Sequence, residues 1–69
     1  MKILEVSDIG AAIRSRRKEL HYTQAYVSEF TGLSISFISD VENGKPTVEV
    51  EKVLQLLQVL GMDLFIENR

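Results

Sequence analysis

TQAYVSEFTGLSISFISDVENG, residues 23–44, reads as two short helices joined at Gly32-Leu33. Thr23 offers a hydroxyl to the first turn of one helix, and Ala25, Val27 and Phe30 carry helix-like apolar spacing up to Gly32. Ser34 offers the same cap to the next helix. Ile35, Ile38 and Val41 keep its period, and Asn43-Gly44 ends it. Gly32 is expected in the left-handed conformation of a tight turn. Ser28 sits where two closely packed helices need a small side chain.

The flanks add two more helices. Ser7 is expected to cap a helix running to about Leu20, with Asp8 favoured in its first turn and Ile9, Ala12, Ile13 and Leu20 on one face. Arg14, Arg16, Arg17 and Lys18 crowd its second half. Such a cluster is equally a solvated charge run suited to the helix dipole or a phosphate-contacting patch. Beyond Lys45-Pro46, Thr47 is expected to cap a fourth helix with Glu49 and Glu51 in its first turn. Val50, Val53, Leu54, Leu57 and Leu60 form its main stripe. Leu56 and Val59 widen the apolar arc, which predicts a second surface to cover, most simply a dimer partner. Gly61 stops the helix. Met62, Leu64 and Ile66 then alternate with Asp63, Phe65 and Glu67, a strand-like period. A lone strand must pair, either with residues 1–6 (an arm or edge strand) or with its equivalent in a second chain.

The whole chain is expected to be one domain over residues 1–69, with a helical core at 7–60 and a dimerising strand at 62–67. At 69 residues it buries only ~60% of its unfolded surface, which favours help from a partner subunit. With no cysteine, disulfides and thiolate metal sites are excluded, and a reducing compartment fits. His21, the single histidine, has no second ligand at metal-binding spacing. No phosphate-binding glycine loop or nucleophile-base set is present, so an enzyme, a metal centre and a cofactor are not expected. No stretch reads as a signal peptide or a membrane helix, and a cytoplasmic location is expected.

A net charge of −2 argues against nucleic-acid binding, but its distribution weakens that argument. Residues 1–46 balance six cations against six acids, whereas residues 47–69 carry two cations and four acids. The excess negative charge lies away from residues 23–44.

RSRRKELHYTQAYVSEFTGLSISFISDVENGKPT, residues 14–47, resembles the Cro-type or XRE class of helix-turn-helix regulators. The match rests on Arg17, Thr23-Gln24, Ser28, Gly32-Leu33, Ser34, Ile38-Ser39 and Glu42-Asn43-Gly44, and extends over roughly residues 9–60. It implies an all-α, lambda-repressor-like domain of four to five short helices with a short C-terminal β-strand. The tail after LLQVLG further resembles the HipB-like antitoxin branch, which implies a homodimer pairing C-terminal strands across its two-fold. Leu56, Val59, Met62, Leu64, Phe65 and Ile66 would then form the dimer contact.

The resemblance also distributes roles. Gln24, at the start of a helix whose N-terminus favours anions, is implied as a phosphate contact beside Thr23. Ser34, Ile35, Ser36, Ser39 and Asp40 occupy the positions that meet the major groove. Asn43, Lys45 and Arg14 are expected at the DNA backbone. Arg17 and Glu42 match a buried salt bridge tying the first helix to the third, which leaves Arg14, Arg16 and Lys18 as free cations. The sequence departs from the class in having no Arg, Lys, Gln or Asn early in the recognition helix, so bidentate base contacts are missing there. Asp40 would repel phosphate unless it accepts from a cytosine amine or turns away, and Phe37 points either inward or toward a phosphate sugar, with the core preferred.

Three functions follow. One is a dimeric repressor on a palindromic double-stranded DNA operator, in its HipB-like form an antitoxin whose partner is a HipA-like kinase toxin. The second is a protein-interaction module that keeps the fold without strong DNA binding. The third is a helix-turn-helix subunit of a larger phage or mobile-element regulator. Specific DNA binding separates the first from the second, and a neighbouring kinase gene separates the antitoxin from the others.

Overall fold

The computed structural model describes all 69 residues. It contains four helices, α1 (Val6–Glu19), α2 (Gln24–Thr31), α3 (Ile35–Glu42) and α4 (Val50–Val59). The core joins Ile13 of α1, Val27 of α2, Leu33 of the turn, Ile38 and Val41 of α3, and Val53, Leu56, Leu57 and Leu60 at α4. Phe37 packs against it, as expected from the sequence.

α2 and α3 start and stop where their residues predict. The Tyr26 N–H donates to Thr23 Oγ1 at 3.0 Å, and the Phe37 N–H donates to Ser34 Oγ at 3.0 Å, so both caps satisfy a first-turn donor. Gly32 closes α2 at φ 79° in the left-handed region. Thr31 reinforces the turn: its hydroxyl donates to the Val27 carbonyl at 2.7 Å and accepts from the Leu33 N–H at 3.1 Å.

α1 crosses α3 at closest approach through Gly10, which the sequence reading passed over. A Cβ there would collide with the Val41 carbonyl oxygen and lie 3.1 Å from the Glu42 carbonyl oxygen. Only glycine lets the two backbones meet.

Several boundaries shift. α1 is capped by Glu5, not Ser7, because Asp8 Oδ2 accepts from the Leu4 and Glu5 N–H groups at 2.9 and 3.0 Å and starts the helix two residues earlier. α4 is capped by Glu49, with Thr47 left in the preceding turn. Its buried stripe is Val53, Leu56, Leu57 and Leu60, while Val50 stays 68% exposed and Leu54 is also exposed. Leu56 therefore belongs to the core and not to a dimer surface: it is fully buried within one chain. On α2 only Val27 is buried. Ala25 and Phe30 face out, so the apolar spacing there marks a surface as well as a core.

The strand expected at 62–67 is not formed in the single chain. Residues 62–69 carry no regular structure, and the only backbone hydrogen bond at this end runs from the Met62 N–H to the Leu57 carbonyl at 2.9 Å. Residues 1–4 do not pair with the tail either. A strand exists only through its ladder, and this chain alone supplies no second edge.

Candidate nucleic-acid interface

α3 presents one face to the core and one to solvent, and the division follows its 3.6-residue period. Ile38 and Val41 are buried, Ile35 and Ser36 are exposed, and Ser39 and Asp40 are half-buried between them. Ser34 and Asn43 cap the exposed face at its two ends. Asn43 Nδ2 donates to Ser39 Oγ at 3.3 Å, which orders the C-terminal end of that face. The offered surface is one aliphatic side chain among hydroxyls, with hydrogen-bonding capacity for groove edges but no long bidentate donor.

Asp40 does not stand alone on this face. Lys45 Nζ lies 3.5 Å from Asp40 Oδ2, and the Lys45 N–H donates to the Asp40 carbonyl at 2.9 Å. Both side chains are about half exposed, so the pair adds little stability, but it offsets the acid's charge where a phosphate would approach.

The scaffold behind this face is an ion pair. Arg17 Nε donates to Glu42 Oε2 at 2.7 Å and Arg17 Nη2 to Glu42 Oε1 at 2.9 Å, a bidentate fork between α1 and the end of α3. Arg17 Nη1 donates to the Tyr22 carbonyl at 2.8 Å and so fixes the α1–α2 turn as well. The two side chains are 10% and 3% exposed. The hydrogen bond to Glu42 raises the Arg17 pKa above its ordinary value, burial opposes that rise, and Coulomb attraction to Glu42 adds to it. No buried side-chain polar atom of the chain lacks a partner.

Gln24 is half-buried, and its Nε2 donates to the same Glu42 Oε1 at 3.3 Å. The residue implied as a phosphate contact at the start of α2 is therefore tethered to the scaffold. The tether aims its side chain across the gap between the α2 N-terminus and the end of α3. Thr23 is exposed beside it, and Arg14 is exposed with no ion-pair partner.

Arg16 is not the free cation expected from the sequence. Its Nε donates to the Leu60 carbonyl at 3.0 Å, and its Nη1 pairs with Glu19 at 2.8 Å. It closes the last turn of α4 by satisfying an orphan carbonyl. Only a fold that brings residue 60 to residue 16 reveals that role. His21 sits exposed in the α1–α2 turn at φ 60°, and no group of three potential metal-binding side chains includes it.

A short helix packed behind a second helix, which exposes a polar face beside an anion-favouring helix N-terminus, defines a helix-turn-helix nucleic-acid reader. The chain belongs to the helix-turn-helix family, whose profile matches residues 13–66, and is a transcriptional regulator of the Cro/XRE type. It is 43% identical over 65 residues to an uncharacterized HTH-type transcriptional regulator, y4mF, of Sinorhizobium fredii, covering 94% of this chain and 86% of the relative. It is 29% identical over 62 residues to the ImmF control region 10 kDa protein of Bacillus phage phi105, covering 90% and 69%. Its fold matches a HipB-O4 20mer complex with a TM-score of 0.89 at 20% identity, covering 99% of this chain and 96% of that one. A complex of a HipB variant with an O2 20mer matches with the same score at 22% identity, covering 99% and 94%.

Proposed function

We infer that the protein is a dimeric, sequence-specific DNA-binding repressor that reads two half-sites of a palindromic operator. The observation that carries this reading is the tethered constellation of Gln24 and the α3 face. The Arg17–Glu42 fork holds the α2 N-terminus and the exposed Ser36–Ser39 surface in one rigid unit. Phosphate contacts come from Gln24, the α2 N-terminal amides beside Thr23, Arg14, Asn43 and Lys45. Ser34, Ile35, Ser36 and Ser39 enter the groove, with Ile35 placed to pack on a thymine methyl. Asp40, offset by Lys45, lies at the edge of that surface. Two copies would set their α3 helices one DNA turn apart, ~34 Å.

The finer role is an antitoxin repressing its own toxin-antitoxin operon in the cytoplasm, with a HipA-like kinase toxin as the protein partner. The fold match to HipB and the apolar tail after α4 support it. A second reading, an interaction module with weak DNA binding, is favoured by the net charge of −2 and by the lack of long donors on α3. A gel shift on the chain's own upstream DNA, with competitor and a salt titration, decides between them. Specific binding survives competitor and weakens steeply with salt as counterions are released. Absence of a shift at low salt would sink the repressor reading.

A further inference from the structure

The tail is hydrogen-bonded only at its root. The peptide unit between Leu60 and Gly61 is held from both edges: the Gly61 N–H donates to the Gln58 carbonyl at 3.0 Å, and the Leu60 carbonyl accepts from Arg16 Nε of α1 at 3.0 Å. Gly61 stands in the left-handed region at φ 70°, and Arg16 Nη2 lies alongside it, 3.5 Å from where a Cβ would be. The Met62 N–H then reaches the Leu57 carbonyl at 2.9 Å, and no backbone hydrogen bond follows it. The direction in which residues 62–69 leave the domain is set at this root.

Arg16 and Arg17 are consecutive on α1, and neighbours on a helix point ~100° apart from one rigid backbone. Arg17 holds Glu42 at the end of α3 and, through that carboxylate, Gln24. Arg16 holds the root of the tail, with its Nη1 braced on Glu19 at 2.8 Å so that Nε faces the Leu60 carbonyl. One turn of α1 therefore ties the reading face at one end of the network to the tail at the other.

We propose that Arg16 is a positioning residue for operator recognition: by fixing the Leu60–Gly61 peptide it sets the angle between the α3 face and the chain beyond residue 60, and so the half-site spacing that a dimer accepts. The proposal rests on the dimeric repressor reading above and adds what fixes the distance between its two readers. It takes the two copies to meet through the end of α4 and the tail, where Val59, Phe65 and Ile66 are exposed apolar side chains.

A small change of angle at the root is large at the DNA. The molecule is 38 Å along its longest axis. A swing of about 10° at Gly61 moves a group ~20 Å away by ~3 Å, about one base-pair step of a ~34 Å turn. Without the guanidinium, water takes the Leu60 carbonyl, and glycine, with the widest backbone freedom of any residue, becomes a swivel. The dimer would then accept several spacings and lose the pre-organisation that favours one of them.

The probes are duplexes carrying the two half-sites of the chain's own upstream DNA at their natural spacing, and the same duplexes with one central base pair added or removed. The parent is expected to bind either altered duplex about tenfold more weakly, and Arg16→Ala only about threefold more weakly than it binds the natural one. Glu19→Gln removes the ion pair but leaves the Leu60 bond, so it should keep the parent's spacing penalty. Thermal melts identify the folded variants. Were Arg16→Ala unfolded, Arg16→Lys, with one flexible donor in place of the planar fork, should still show a smaller penalty than the parent. An arginine that only stabilised the fold would weaken binding to all three duplexes by the same factor. An unchanged spacing penalty in a folded Arg16 variant therefore overturns the inference, as does a parent that binds all three duplexes equally. A parent that binds none of them sinks the repressor reading, and the inference with it.

Discussion

Arg17 and Gln24 donate to the same carboxylate oxygen, Oε1 of Glu42, at 2.9 and 3.3 Å. A scaffold ion pair and a candidate phosphate contact are thus one network. Whatever holds α1 to α3 also aims the side chain at the start of α2.

Breaking that network from one side strands a buried charge. Arg17→Met or Glu42→Leu is expected to destabilise by ~3–5 kcal/mol, and the double variant by less than either single one. Denaturant melts of the three variants test this, and additive losses would show that the fork is not a coupled pair. The Arg17 pKa is raised in the fold, so its contribution is complete below the ordinary arginine value and is lost only above the raised one. Stability should show no dependence on pH from this group between about pH 5 and about pH 9.

Gly10→Ala separates packing from propensity. On an exposed helix the change would stabilise by up to ~1 kcal/mol. Here the new Cβ meets the Val41 carbonyl, and a loss of about 2 kcal/mol is expected, roughly 10 °C in Tm for a domain of this size. A raised Tm would mean that α1 and α3 can slide apart.

Two polar substitutions distinguish positioning from reading. Gln24→Ala should weaken binding to all DNA sequences alike, by ~1 kcal/mol, because it removes a backbone contact. Ser36→Ala should change the ranking of operator variants with a smaller change in overall affinity. Binding to a panel of single-base operator variants measures both, and the reverse pattern would exchange the two roles.

The basic residues of α1 divide in the same manner. Arg14→Ala should leave the melt unchanged and lower the salt slope of DNA binding by about one phosphate contact. Arg16→Ala should instead lower stability by ~1 kcal/mol, because it uncaps the Leu60 carbonyl, with the salt slope unchanged.

Asp40→Asn removes the only acid on the exposed face of α3 and provides an amide suited to adenine. Tighter binding at low salt, by ~1 kcal/mol, is expected with stability within ~0.5 kcal/mol of the parent. Weaker binding would show that Asp40 itself accepts a hydrogen bond from a base.

The sequence by itself determined the helix order, the α2 and α3 boundaries and the left-handed Gly32, since caps, period and turn residues act over a few neighbours. The likeness carried by Arg17 and Glu42 extended this to one long-range pair. The tertiary structure alone decided what depends on distant residues meeting in space. Gly10 has no local signal, because the obstacle to a Cβ is the backbone of residue 41. Arg16 looked like Arg14 until residue 60 came within its reach. Leu56 and Val59 widened the same apolar arc, and only the packing of α4 into the shared core sent the former inside and left the latter outside. The tail shows the limit from the other side: alternation marks residues 62–67 for a strand, but pairing is a property of two backbones, and one chain supplies only the first.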